Sequence, residues 1–240
     1  MPDSLRGREI VLAGGSGGLG AATAELLAAE GARLVVSYRS NAMRAAPLAS
    51  VARLLQADLT VEADRSRLLD AAPELYGLVV FAGDPARLSS PADFEPAARR
   101  SWEVNFLGPV LLAREAAARM RAAGTPGAIV LFSTMQALAL FPGSTAYAAP
   151  KRALLEAARI LAKECRGAPN IRVNVVAPGV MAAGMAEASI AAGKYDRYVQ
   201  EGVIHRFGHP ADVARAVRFF LEPDSYVTGQ VLVVDGGLTL

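Results

Sequence analysis

Cysteine is almost missing from this 240-residue chain: Cys165 is the only one. An intramolecular disulfide framework is excluded, and the lone thiol suits a reducing cytoplasm. Histidine is nearly as scarce, with only His205 and His209. One thiol and two imidazoles are too few and too poorly placed for a metal-ligand cluster, so no metal is expected. Charge of one sign does not accumulate either. Lys and Arg number 25 against 23 Asp and Glu, for a net charge of +2. No basic run interleaved with aromatics occurs, and nucleic acid is not an expected partner. Long apolar runs are also lacking. Residues 122–150 carry no charge, but they include Ser133, Thr134, Gln136, Pro142 and Gly143. A membrane span wants about 20 predominantly apolar residues, so none is expected here. The opening MPDSLRGREIVLAGG mixes charges with four consecutive apolar residues and does not fit a signal peptide. A cytoplasmic location is the resulting expectation.

What is present is hydrophobic substance: 52% of residues are apolar and 20% charged. That suffices for one well-buried domain over 1–240, and no repeat, linker or low-complexity segment divides it. Seven short runs read as strands, at 9–14, 33–38, 51–58, 76–83, 128–133, 171–178 and 230–237. Most are continuously apolar, not alternating, as in a parallel sheet covered on both faces. Alanine-rich helical stretches lie between them, including a long one from about Pro96 to Gly124. This alternation predicts an α/β fold with a doubly wound parallel sheet. Residues 181–210 are long, rich in small residues and set between the last two strands. Such a segment has the character of a lid over a site.

Two patterns carry chemistry. GGSGGLG, Gly14 to Gly20, follows the first strand and opens a helix. Glycines there permit a tight turn and close approach of a pyrophosphate to the free amides of a helix N-terminus. In STAYAAPKRAL, Tyr147 and Lys151 are four residues apart, which places them together on one face of a helix. An ammonium beside a phenol favours the phenolate, so the spacing predicts a lowered Tyr147 pKa and a usable proton donor and acceptor.

Taken in order, these and other motifs resemble those of the short-chain dehydrogenase/reductase family along essentially the whole chain, with a ketoacyl-reductase-like cast. Gly14, Gly18 and Gly20 match T-G-x-x-x-G-x-G, with Ala13 in place of threonine. Asp58 matches the acid that ends the third strand, Ala82 and Gly83 the end of N-N-A-G, and Asn105 the helix asparagine. Tyr147 and Lys151 match Y-x-x-x-K, and Asn174, Pro178 and Gly179 match N-x-x-x-P-G. The resemblance implies a single Rossmann-type domain with about seven strands and a nicotinamide cofactor. It implies cofactor contacts from Gly14, Ser16, Gly18, Leu19, Gly20, Arg39, Asp58, Leu59, Ala82, Gly83, Tyr147, Lys151, Pro178, Gly179 and Met181. It also implies a catalytic set of Asn105, Thr134, Tyr147 and Lys151. In that set Lys151 binds ribose hydroxyls and lowers the Tyr147 pKa, Tyr147 protonates a carbonyl oxygen, and Asn105 holds a water that links Lys151 to solvent.

The departures from the family pattern are informative. The usual serine, thirteen residues before the tyrosine, is Thr134, with Ser133 beside it. Neighbours on a strand face opposite ways, and the spacing favours Thr134 as the group that faces substrate. The N-N of N-N-A-G is Val80 and Phe81, Ala183 replaces a threonine, and Pro150 sits inside the tyrosine's helix. That proline predicts a kink or a late helix start. After the second strand the chain reads Ser37-Tyr38-Arg39, with no acid. An acid there would bind a ribose 2′-hydroxyl and repel a 2′-phosphate, whereas Arg39 offers a charged fork for it. NADP(H) is therefore expected over NAD, with a carbonyl or secondary alcohol as substrate. Two alternatives stand beside this expectation: a catalytically weak nucleotide-sensing or scaffold protein, and a 3-oxoacyl thioester reductase with Arg121 and Arg166 as carrier-docking candidates. Alanine- and leucine-rich helices beyond one sheet's needs, together with the family's habit, imply a homo-oligomer, most simply a tetramer.

Overall fold

The computed structural model describes residues 4–240. The elements follow in chain order: β1 (Glu9–Ala13), α1 (Gly18–Ala29), β2 (Arg33–Tyr38), α2 (Ala42–Ala45), β3 (Arg53–Gln56), α3 (Glu62–Asp70) and β4 (Leu75–Val80). Then come α4 (Phe94–Trp102), α5 (Gly108–Ala122), β5 (Gly127–Phe132), α6 (Thr145–Glu164) and β6 (Ile171–Pro178). The chain ends with α7 (Glu187–Ala191), α8 (Asp196–Gln200), α9 (Pro210–Leu221) and β7 (Val231–Val234). All seven expected strands form, in one parallel sheet of order β3-β2-β1-β4-β5-β6-β7. This is a Rossmann-like α/β fold.

The continuous apolar runs are explained by two cores, one on each face. Along β1, Val11 and Ala13 pack into a cluster with Leu68 of α3, Leu112 of α5 and Leu154 of α6. Ile10 and Leu12 point the other way, toward Leu27 of α1 and Phe220 of α9. A strand's period of two divides its side chains between the layers, so both sets must be apolar. Each fully buried Leu or Phe contributes about 1.5–3 kcal/mol. At the edge, β7 leaves Leu232 and Val233 at 36% and 37% exposure.

The strand order reverses between β1 and β4, and the cleft lies outside the carboxyl ends of the strands at this point, where open α/β sheets hold ligands. The long stretch expected over 96–124 is helical from Phe94 to Ala122, with a π-helical turn at Glu103–Leu107. Pro109 follows Asn105 by four residues and has no N–H to give to that residue's carbonyl. The ladder is thereby interrupted at Asn105. Pro150 does not delay the helix: α6 starts at Thr145 and runs to Glu164 with Pro150 buried inside it. The 181–210 segment leaves and rejoins the body at one place, where Met181 and Gly208 form a parallel bridge. Arg206 beside it donates to Asp212 of α9 at 2.7 Å. Hydrogen bonds from Arg206 hold the Asp212 carboxyl down at about 2, against its burial.

Candidate active site

A cleft of about 510 Å³ runs over the strand ends. One wall is the turn from β1 into α1. Gly14 has φ +70°, and a Cβ there would meet the Ala82 backbone at 2.8 Å. A Cβ on Gly20 would lie 2.4 Å from the Gly15 carbonyl. Only glycine fits either position, so these residues answer to packing as well as to any ligand. The Gly14 amide is held by the Ser37 hydroxyl of β2 at 2.9 Å. Ser16, Gly18 and Leu19 line the cleft beside it at the start of α1, where the first helical amides have no partner within the helix.

A small hollow adjoins the cleft, lined by Asp58, Leu59 and Thr60, with Arg39 shared between hollow and cleft. Asp58 Oδ1 accepts from the Thr60 amide and hydroxyl at 3.0 and 2.8 Å, while the Asp58 amide donates to Asp64 at 2.8 Å. Tyr38, Ser40, Asn41 and Arg44 line the cleft next to Arg39. Arg44 escaped the sequence reading. The signal was there, a second basic residue soon after an acid-free strand end, but only the short helix α2 shows that it turns back toward the cleft. Asn41 caps that helix, its Oδ1 accepting from the Arg44 amide at 2.9 Å.

The opposite wall carries Thr134, Tyr147 and Lys151. Thr134 caps the turn after β5, its hydroxyl accepting from the Gln136 amide at 3.3 Å, and it lines the cleft together with Tyr147. Ser133 also lines the cleft, and its hydroxyl donates to the Lys151 carbonyl at 2.8 Å. Lys151 is 3% exposed, and its ammonium donates to the Phe132 carbonyl at 2.8 Å. Pro178, Gly179 and Met181 close the cleft from β6, and Ala82 and Gly83 from β4.

The electrostatics depart from the expected lysine-lowered tyrosine. Burial pushes the Tyr147 hydroxyl up to about 12, against the hydrogen bond with Thr134. Burial pulls Lys151 down to about 7. Desolvation penalises both charged forms, and here it outweighs attraction between them because the ammonium is directed at a backbone carbonyl. Tyr147 keeps some access to the cleft, which moderates its penalty.

Asn105 is the other departure. It is completely buried behind Gly83 and does not line the cleft. Its Oδ1 accepts from the Asp84 amide at 3.0 Å, and its Nδ2 donates to the Asp84 carbonyl and the Ser101 hydroxyl at 2.8 and 2.7 Å. The carboxamide is committed to the chain. The remaining sequence-derived residues line the cleft or the adjoining hollow. Among the described residues no group of acidic, cysteine or histidine side chains forms a metal cluster, and no helix is long and apolar enough to cross a membrane.

Residues 13–239 match a family model described as enoyl-(acyl carrier protein) reductase. Carbonyl reductase family member 4 of Danio rerio is 34% identical over 245 residues, covering 97% of this chain and 98% of that protein. An Arabidopsis thaliana protein named NADPH-dependent aldehyde reductase-like, chloroplastic, is 33% identical over 264 residues, covering 98% of this chain and 96% of its own. A solved short-chain type dehydrogenase/reductase from Mycobacterium ulcerans superimposes with a TM-score of 0.88 at 27% identity, covering 98% of this chain and 91% of that one. The likeness extends through the whole sheet and beyond the motifs that first suggested it, and it places this chain in the short-chain dehydrogenase/reductase family of oxidoreductases.

Proposed function

We propose that the chain is an NADP(H)-dependent oxidoreductase that interconverts a carbonyl and a secondary alcohol, with Tyr147 as general acid and base. The observation that carries this reading is the meeting of Thr134, Tyr147 and Lys151 on one wall of a cleft whose other wall is a glycine cradle at a helix N-terminus. When bound, the nicotinamide cofactor supplies or accepts the hydride. Gly14, Ser16, Gly18, Leu19 and Gly20 would hold its pyrophosphate, Asp58 and Leu59 its adenine, and Pro178, Gly179 and Met181 its nicotinamide end. The chain's own residues handle the proton. Tyr147, held protonated, donates to the carbonyl oxygen, so at neutral pH the site is set for reduction. Lys151 brings its amine to the ribose side, and the Asn105 carbonyl holds a water on the proton's path to solvent. The Thr134 hydroxyl orients the substrate oxygen.

The choice of NADP(H) rests on Arg39 and Arg44 at the end of an acid-free β2, and a relative's NADPH-dependent name agrees with it. NADPH fluorescence with a panel of ketones, diketones and 3-oxoacyl thioesters tests the reaction, and failure of every carbonyl would favour a weak nucleotide sensor. The thioester arm covers the acyl-carrier reading that the family model's description raises. The docking candidates Arg121 and Arg166 do not support that reading within one chain. Both lie against the end of α6, at Glu164 and Lys163, about 25 Å along the helix from Tyr147 at 1.5 Å per residue. Arg39→Ala is expected to weaken NADPH about 10–150-fold and leave NADH nearly unchanged. Equal losses for the two cofactors would remove Arg39 from the 2′-phosphate.

Thr134→Val keeps the side chain's shape and removes its hydroxyl. The expected loss in kcat/KM is about 10–150-fold, from one hydrogen bond and a polar oxygen left unpaired. Ser133→Ala should cost much less, since the Ser133 hydroxyl is already given to the α6 backbone at the Lys151 carbonyl. A large loss in Ser133→Ala beside an active Thr134→Val would exchange the two roles.

A homo-oligomer, most simply a tetramer, belongs to the same reading. Trp102 and Leu107 on the α4–α5 unit, Ile160 on α6, Phe219 on α9 and the β7 edge are exposed apolar surface, the kind that a second copy covers. Light scattering should give a mass well above 25.0 kDa; a monomer at micromolar concentration would contradict the assignment.

A further inference from the structure

Family members carry polar asparagines just before the Ala82-Gly83 turn, and this chain has Val80 and Phe81 there. Phe81 instead stacks on Phe132 with centroids 4.4 Å apart. The loop that leaves β4 must therefore find polar support elsewhere, and it finds it one residue later. Asp84 is tied down by four contacts. Its amide and carbonyl are clamped by the Asn105 carboxamide. Its Oδ2 accepts from Arg100 Nε at 2.6 Å, and its Oδ1 from the Ala86 amide at 2.6 Å. Ala86 needs that anchor, because it has φ +48°, a conformation in which alanine is strained. Arg100, Ser101 and Asn105 lie on consecutive turns of one helical unit, so one rigid element grips both the side chain and the backbone of Asp84.

The joint lies close to the chemistry. A Cβ on Gly83 would sit 3.2 Å from Asn105 Oδ1 and 3.7 Å from Lys151 Nζ. The same loop reaches the lid, where Arg87 Nη2 donates to the Met185 carbonyl at 2.5 Å. An exposed ion pair contributes little by itself. The Asp84 side chain is only 13% exposed, however, against 50% for Arg100. Removing the guanidinium would leave a largely buried carboxylate without its partner, and the loop would have to move to hydrate it.

We propose that Asp84 is a positioning residue of this site: its carboxylate, held by Arg100, fixes the Gly83–Asp84 peptide that seats Asn105 behind Lys151, and through Arg87 it ties this joint to the lid. Asp84 does not line the cleft and touches no reacting atom. The burial of its carboxyl works upward, but the Arg100 guanidinium and the Ala86 amide outweigh it and keep the group charged. The proposal rests on the oxidoreductase reading for its kinetic consequence only.

The test compares Asp84→Asn, Arg100→Gln, their double variant and Arg100→Lys, in the full chain. Amide hydrogen exchange over residues 83–87 and 103–107 reads the brace without reference to activity. Exchange there should quicken in both single variants while thermal unfolding moves little. The kcat for whichever carbonyl the wild type reduces should fall about 10–100-fold, as for misplaced catalytic groups, with NADPH affinity within about twofold. The double variant should be no worse than the singles, because coupled residues are not additive, and Arg100→Lys should recover part of kcat. If Arg100→Gln does not fold, Asp84→Asn decides alone. Unchanged exchange in both segments overturns the proposal whatever the activity, as do additive losses in kcat. A wild type that reduces no carbonyl would defeat the oxidoreductase reading, and the exchange data would still decide the brace.

Discussion

Tyr147→Phe should bind NADPH as the wild type does and lose about two to four orders of magnitude in kcat, the usual contribution of a positioned general acid. The ring stays, so packing at the start of α6 and the cleft wall are preserved. What goes is the hydroxyl that burial holds protonated. The pH dependence adds a second check. With its acid limit pushed up to about 12, Tyr147 remains a proton donor across the range in which the protein can be assayed. Carbonyl reduction should therefore show no loss from tyrosine ionisation up to pH 10. Alcohol oxidation needs the deprotonated form and should rise as pH rises. A Tyr147→Phe variant that keeps more than half of the wild-type kcat would end the proposed mechanism.

Lys151→Met should abolish turnover and yet stabilise the protein at neutral and lower pH when no cofactor is added. Lys151 is 3% exposed, and burial brings it down to about 7 from the free value of 10.5. The sign follows from proton binding. Between pH 7 and 10 the unfolded chain carries a proton on this lysine that the folded chain does not, so stability rises with pH. The penalty is greatest below pH 7, roughly 4 kcal/mol at pH 6.5, and falls below about 1 kcal/mol at pH 10. Methionine removes the penalty but leaves the Phe132 carbonyl without its donor, at about 1–3 kcal/mol. The variant should be more stable than the wild type by about 1–3 kcal/mol at pH 6.5 and less stable at pH 10. Denaturant unfolding at the two pH values measures this. A variant less stable at both would mean that the buried amine carries no such penalty. The expected crossover is that of a site which stores instability for its chemistry.

Legibility differed between parts of the molecule for a physical reason. The strands could be read because a parallel sheet covered on both faces gives continuous apolar runs, as in the IVLA of β1 and the GAIVLF of β5. The glycine turn could be read because Gly14 and Gly20 sit where any Cβ collides with backbone. Of the two effects expected from Pro150, the late start does not occur: Pro150 lies on the buried face of α6, past its first turn. Arg44 was overlooked because a side chain's aim depends on the path of α2.

The sequence by itself determined the α/β architecture, the cradle, and the pairing of Tyr147 with Lys151 on one helix face. These follow from local geometry, since the periods of strand and helix and the bare Cα of glycine act within a few residues of the chain. Only the tertiary structure decided which groups those residues answer to. Phe132, nineteen residues from Lys151, takes its ammonium. Asp84, twenty-one residues from Asn105, takes its carboxamide. Burial then sets the direction in which Tyr147 and Lys151 titrate. Desolvation and hydrogen-bond partnership are properties of the space that distant segments enclose, and no spacing along the chain encodes them.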